Sequence, residues 1–173
     1  MKRIRDIVTD LRAFAYPESQ NLRERFEFPD ALETALRFTA NDRNGIDVDR
    51  ELTANVSVMG SKSHITQVLV NLLSNAQRAV DSVNGDRDAR ISISTRTEAD
   101  RLTVKVRDTG VGIESEVLSK IFDPFFTTTD VGQGMGLGLS ICHTIIRNHG
   151  GEICVNSVKD EWTEVTFDLP LAQ

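Results

Sequence analysis

The stretch Ala89–Ile113, "ARISISTRTEADRLTVKVRDTGVGI", decides the fold. Ile91 and Ile93 alternate with Ser92 and Ser94, and Leu102, Val104 and Val106 alternate with Thr103, Lys105 and Arg107. A period of two over such lengths predicts two half-buried strands, here joined by a polar turn. Upstream, Ile65, Val68, Leu69, Leu72, Leu73, Ala76, Ala79 and Val80 recur at helical spacing, which predicts a long helix capped by Ser61 or Ser63 and reaching about Asp81. Before it, a short strand over Arg25–Phe28, a helix from Pro29 to Thr39 and strands near Ile46–Arg50 and Asn55–Val58 are expected. Downstream, a short helix over Glu114–Ile121, a loop from Phe122 to about Gly136, a glycine-led helix to Asn148 and the strands "GEICVNSV" and "WTEVTFDL" complete the chain. Helices on one face of a mixed, mainly antiparallel sheet make an α+β fold, a two-layer sandwich. Ile4, Ile7, Val8, Leu11, Phe14 and Ala15 put one amphipathic helix before it over 1–15. The polar stretch 16–24 then reads as a linker and 25–173 as the main domain.

Composition narrows the function. With 39% hydrophobic residues the chain has the makings of an ordinary core, and 20 basic against 26 acidic side chains leave a net charge of -6. Proteins that grip phosphate backbones carry surplus positive charge, so nucleic acid is not an expected partner. No apolar run approaches the roughly 20 residues needed to span a bilayer, and "MKRIRDIVTD" lacks the hydrophobic segment of a secretion signal. A cytoplasmic location and no membrane contact within this chain are expected. Cys142 and Cys154 stand at apolar positions without ligand-spaced neighbours, which predicts two buried free thiols.

Three stretches carry chemistry. In "VGQGMGLGLSICHTIIRNHGG", Gly132, Gly134, Gly136 and Gly138 precede a helix although each disfavours one by about 1 kcal/mol relative to alanine. A helix start offers unpaired N–H groups and partial positive charge, and glycine lets a phosphate approach them; a flexible loop before a core helix is the plainer alternative. In "VRDTGVGI", the period of the strand carries Asp108 inward. An isolated buried charge costs several kcal/mol, so Asp108 needs a partner. Either it meets a ligand amino group such as that of adenine, with Gly110 and Gly112 letting a ring lie on the backbone, or it opens a turn before glycine. In "QVLVNLLSNAQRAV", Asn71, Asn75 and Arg78 lie within roughly 60° of one another on the helix. An amide oxygen suits Mg²⁺, which keeps waters and phosphate oxygens as most of its ligands, and Arg78 can neutralise phosphate charge; alternatively the asparagines bond to loop backbone.

The ordered set "NLLSNAQRA", "DTGVGI", "FDPFFTTT" and "GMGLGLS" resembles the N, G1, F and G2 boxes of the ATP-binding catalytic domain of sensor histidine kinases, in the GHKL superfamily. The resemblance covers Gln67–Gly151 closely and extends loosely over Arg25–Ala172. It implies that Asn75 ligates Mg²⁺, that Asn71 and Arg78 act at the phosphates as the catalytic residues, and that Asp108 reads the adenine amino group. Gly110, Gly112 and Ile113 would line the base pocket, supported by Thr163. Gly134, Gly136 and Gly138, with Leu137 and Leu139, would cradle the phosphates below a lid over 126–135 that includes Phe126, Thr127 and Thr128, anchored by Phe122, Phe125 and Phe126.

The resemblance also bears on the acceptor. Where relatives that hydrolyse ATP or phosphorylate serine carry a glutamate base, this chain has Asn71, and an amide cannot accept a proton at neutral pH. An imidazole already offers a lone pair, so transfer to histidine needs positioning and charge stabilisation more than deprotonation. His64, His143 and His149 precede Ile65, Thr144 and Gly150 rather than the acidic residue that follows the family's acceptor. The expectation is a catalytic fragment that uses ATP and phosphorylates a histidine on a separate dimerisation hairpin, with a response regulator as indirect partner. The 1–15 segment resembles the second hairpin helix and offers a homodimer contact in the intact protein. His149, at a helix end, is expected to interact as a cation with the helix dipole. No lysine or arginine occurs between Phe126 and Leu137, where relatives commonly carry a lysine. That departure keeps a non-catalytic nucleotide-binding module as an alternative, and a GHKL serine kinase or ATPase as another.

Overall fold

The computed structural model describes residues 24–40, 46, 48–83, 88–127 and 136–172. The amphipathic helix expected over 1–15, nearly all of the 16–24 linker and most of the 126–135 segment lie outside them. Seven strands and three α-helices are present among the described residues: β1 Glu24–Glu27, α1 Phe28–Thr39, β2 Val48–Glu51, β3 Ser57–Gly60, α2 Lys62–Asp81, β4 Ile91–Glu98, β5 Arg101–Asp108, α3 Gly138–Asn148, β6 Ile153–Val158 and β7 Trp162–Pro170.

The alternation read from Ala89 to Asp108 forms β4 and β5, paired antiparallel from Ile91↔Asp108 to Glu98↔Arg101. They are the centre of a five-stranded sheet of order β2-β4-β5-β7-β6, in which only the β2–β4 pair is parallel. One face of this sheet turns Ile91, Ile93, Leu102, Val104, Val106, Phe167 and Leu169 into the core. The apolar stripe of α2 covers that face, α3 lies beside it over β6 and β7, and α1 packs on α2. Ser61 caps α2 by accepting the His64 N–H, which satisfies one of the unpaired donors of the first turn. The expected two-layer α+β sandwich is therefore the observed one.

Several details differ from the sequence reading. Glu24, assigned to the linker, is the first residue of β1, and Phe28, assigned to a strand, opens α1 with Pro29 in its first turn. β1 does not join the main sheet: it pairs with β3 in a separate two-stranded sheet, tied to the chain end through Val58↔Leu171. β3 starts later than expected because Asn55 takes a left-handed turn at φ 54°. Glu114–Ile121 is not a helix. Its bonds run i→i+3, from Val117 to Glu114 and from Lys120 to Val117, with a single 3-10 turn at Leu118–Lys120. Only Ile121 of this stretch is fully buried, with Val117 and Leu118 half-buried, too little apolar burial to favour a regular helix. Cys142 is buried as expected, but Cys154 is exposed. It pairs with Thr166 on the sheet face that no described helix covers.

Candidate functional site

The site is built along α2, between the end of β5 on one side and the start of α3 on the other. The inward alternation of β5 brings Asp108 to the helix side of the sheet, where it is 5% exposed. Its Oδ1 accepts the Gly110 N–H at 2.9 Å. Burial pushes the carboxyl up to about 6, while the N–H of Gly110, the Arg107 charge and the Thr163 backbone pull the other way and do not offset it. A buried acid whose charge the protein leaves under-compensated fits a site for a donor from outside the chain. Thr163 of β7 stands directly across from Asp108, and Ser157 of β6 directly across from Thr163.

The loop after Asp108 is stitched to three neighbours. Val111 donates to the Ala79 carbonyl of α2 at 3.1 Å, Asp160 donates to Val111 at 2.7 Å, and Ile113 donates to Ser157 Oγ at 2.8 Å. These contacts change the meaning of two glycines. A Cβ on Gly110 would meet Ala79 C and Cβ at 2.5 Å, and one on Gly112 would strike the Val158 carbonyl from a backbone at φ +64°. Both positions exclude a side chain because protein fills the space, whereas the sequence reading kept that space for the base.

Just before Ala79 on α2, Asn75 and Arg78 touch: Arg78 Nη2 donates to Asn75 Oδ1 at 2.5 Å, and Arg78 Nε to the Ser74 carbonyl at 3.2 Å. A further turn back, Asn71 Nδ2 reaches the Gly138 carbonyl at the start of α3, a long contact at 3.4 Å. The loop after Asp108, the Asn75–Arg78 pair and the glycine-led helix thus follow one another along about 12 Å of α2, at 1.5 Å per residue. The start of α3 has no side-chain cap, because Leu137 occupies the capping position. Among the described residues a Cβ on Gly138 would meet only Asn71 Cγ, at 4.0 Å, so packing against them does not explain the bare backbone there. That is the arrangement that leaves helix N–H groups to an anion. Gly136, at φ +66°, is instead required by the Phe126 carbonyl. Leu137 is buried, Leu139 and Phe126 are half-buried, and Thr127 is exposed. Thr128 and Gly134 lie outside the described residues.

For a metal, no group of three or more His, Cys, Asp or Glu side chains comes together among the described residues. The donor set is the Asn75 amide oxygen, which retains a lone pair beside the one taken by Arg78. Such a set suits Mg²⁺ held mainly by phosphate and water.

The histidines serve other ends. His149 is buried, and it is not a cation facing a helix end: Nε2 accepts the Ser61 N–H at 3.0 Å while Nδ1 contacts the Ile145 carbonyl at 2.8 Å, the bonding of a neutral ring. It ties the end of α3 to the start of α2. His64 meets it edge-on at 6.0 Å, and His143 lies against Phe122 at 5.4 Å. Trp162 lies beneath the Arg107 guanidinium, 4.1 Å from its ring centre. Sequence reasoning did not assign Ser157 and read His149 as a helix-end cation; the signal for the structural role of each lies in its place opposite or beside a residue distant in sequence.

A family model described as histidine kinase-, DNA gyrase B-, and HSP90-like ATPase matches residues 60–173. The chain is 31% identical over 173 residues to the sensor histidine kinase ZraS of Salmonella typhimurium, covering 98% of this chain and 36% of ZraS. The catalytic domain of histidine kinase ThkA, in a nucleotide-free form, superposes with TM-score 0.71 at 29% identity over 86% of this chain and 95% of that one. ThkA in complex with the response regulator TrrA gives TM-score 0.78 at 25% identity over 99% of this chain and 49% of that one. The chain spans between 18% and 36% of the length of the curated relatives it matches.

Proposed function

The chain belongs to the histidine kinase-, DNA gyrase B-, and HSP90-like ATPase family, whose members bind ATP, and from that premise we propose that it is the catalytic domain of a sensor histidine kinase. It binds Mg-ATP along α2 and directs the γ-phosphoryl to a histidine on a dimerisation hairpin. The observation that carries the reading is the placement of Asp108, Asn75–Arg78 and Asn71–Gly138 in sequence along one helix, with a buried acid at one end and an uncapped helix start at the other.

In this reading Asp108 and Thr163 receive the base. Asn75 would hold Mg²⁺, which when bound supplies charge neutralisation at the phosphates. Arg78 adds a second positive charge, and the α3 N–H groups receive phosphate oxygens. Asn71, held to the Gly138 carbonyl, positions rather than deprotonates, which suits an imidazole acceptor that brings its own lone pair. The intact protein would pass the phosphoryl to a response regulator and dimerise through a hairpin to which the 1–15 segment contributes, with the domain in the cytoplasm; among the described residues no helix is long and apolar enough to cross a membrane.

The test mixes the chain with Mg-ATP and a histidine-bearing hairpin. Acid-labile phosphate should appear on the hairpin, dependent on both components. Saturable ATP binding without transfer would favour the second reading, a non-catalytic nucleotide-binding module, which the lack of any lysine or arginine between Phe126 and Leu137 recommends. Rapid ATP turnover by the chain alone would point instead to a serine kinase or ATPase.

A further inference from the structure

Ile91, Asp108, Thr163 and Ser157 form one row across β4, β5, β7 and β6 at the end of the sheet nearest the base loop. Residues directly opposite in such a row have Cβ atoms about 5 Å apart, so the polar members act on one another. The Ser157 hydroxyl contacts the Trp162 carbonyl at 2.7 Å, the Ile113 N–H at 2.8 Å and Thr163 Oγ1 at 3.0 Å. A hydroxyl has one proton and two lone pairs. The carbonyl can only accept, so the Ser157 proton goes to Trp162. The amide can only donate, so one lone pair goes to Ile113. The remaining lone pair faces Thr163, and that contact has a single polarity: Thr163 donates and Ser157 accepts. The Thr163 proton is thereby committed to its strand neighbour, and its oxygen turns only lone pairs to the rest of its surroundings. Asp108, its other neighbour in the row, is acceptor-only when ionised.

We propose that Ser157, though it need not touch the ligand, is a specificity-determining residue for the base. By taking the Thr163 proton it makes the pocket floor a pair of acceptors, matched to the two N–H donors of a 6-amino purine and opposed to a 6-oxo purine. This rests on the nucleotide reading given above and concerns which base that site selects.

The test compares ATP with inosine triphosphate, which replaces the 6-amino group by an oxo group. Both are titrated with Mg²⁺ into the full chain at pH 7.5 by calorimetry, for the wild type, Ser157→Ala, Thr163→Val and the double variant. The wild type should prefer ATP. In Ser157→Ala the Thr163 proton is released and can serve the oxo group, so the ATP-to-ITP affinity ratio should fall about tenfold, the worth of one hydrogen bond. Thr163→Val removes the opposing lone pairs and should lower the ratio too. Adding Ser157→Ala to Thr163→Val should then change it no further, since the effect runs through the Thr163 hydroxyl. A ratio that is unchanged or raised in Ser157→Ala overturns the inference, as does a full-size effect of Ser157→Ala in the Thr163→Val background. If Ser157→Ala does not fold, the near-isosteric Thr163→Val decides alone, and an unchanged ratio there is fatal. Failure of the folded wild type to take up either nucleotide would overturn the nucleotide reading itself, whereas ATP binding without the ratio change would overturn only the role of Ser157.

Discussion

Replacing Asp108 with Asn separates the charge of the side chain from its shape. Burial raises the carboxyl from 3.8 to about 6 in the folded protein. At about 1.36 kcal/mol per unit, that shift of roughly two units corresponds to about 3 kcal/mol. The folded state holds the proton more tightly than the unfolded state. The stabilising contribution is therefore complete below pH 3.8, declines as pH rises through about 6, and is gone above it. Asparagine has no such dependence, and any packing or hydrogen-bond difference it introduces is a constant offset. In urea denaturation from pH 4 to 7.5, the stability of Asp108→Asn relative to wild type should improve by about 2 to 3 kcal/mol, mostly before pH 6.5. ATP affinity should move the other way. Losing a hydrogen bond to a charged acceptor costs about 1.5–3 kcal/mol, or roughly ten- to a hundredfold in the dissociation constant. Wild-type affinity should itself weaken as pH falls below about 6 and the carboxylate is protonated. Parallel stability curves for the two proteins would refute the burial argument, and equal ATP affinity would remove Asp108 from the base site.

The glycines offer a paired test. Gly110→Ala drives a methyl into Ala79 and should cost about 1–3 kcal/mol by urea denaturation. Gly138→Ala meets no described atom closer than Asn71 Cγ at 4.0 Å and should leave stability unchanged or raise it by up to about 1 kcal/mol, yet weaken ATP binding measured by calorimetry. Asn75→Ala should abolish the gain in ATP affinity that Mg²⁺ confers, while affinity in EDTA changes by no more than about twofold. His149→Ala should cost about 2–4 kcal/mol in thermal or urea denaturation, because it leaves a cavity and an unpaired Ser61 N–H.

Much of the frame was legible because it depends on local periodicity. The stripe of α2 and its Ser61 cap, the alternation of β4 and β5, and the inward direction of Asp108 all follow from spacings within one element. What escaped depends on partners far along the chain. Ser157 looks like any strand serine until the β6–β7 register sets it opposite Thr163. His149 looks like a helix-end cation until the Ser61 N–H, 88 residues away, is found on its Nε2. Gly110 and Gly112 read as space for a ring, and only the approach of Ala79 and Val158 shows what fills it. The 114–121 segment forms a 3-10 turn rather than the expected helix, and of its apolar residues only Ile121 is fully buried while Val117 and Leu118 are half-buried.

The stitching of residues 109–113 to α2, to Arg90 ahead of β4 and to the β6–β7 turn has a thermodynamic consequence. If this loop receives the base as proposed, it is already fastened on three sides and has little conformational freedom left to surrender when a guest arrives. The entropic toll of association at that end should be small, and selectivity should come from fixed geometry rather than from adaptation. Damage to the hairpin tip at Lys159–Glu161, which holds Val111 through the Asp160 N–H, should then loosen the proposed base site and be felt as lost discrimination.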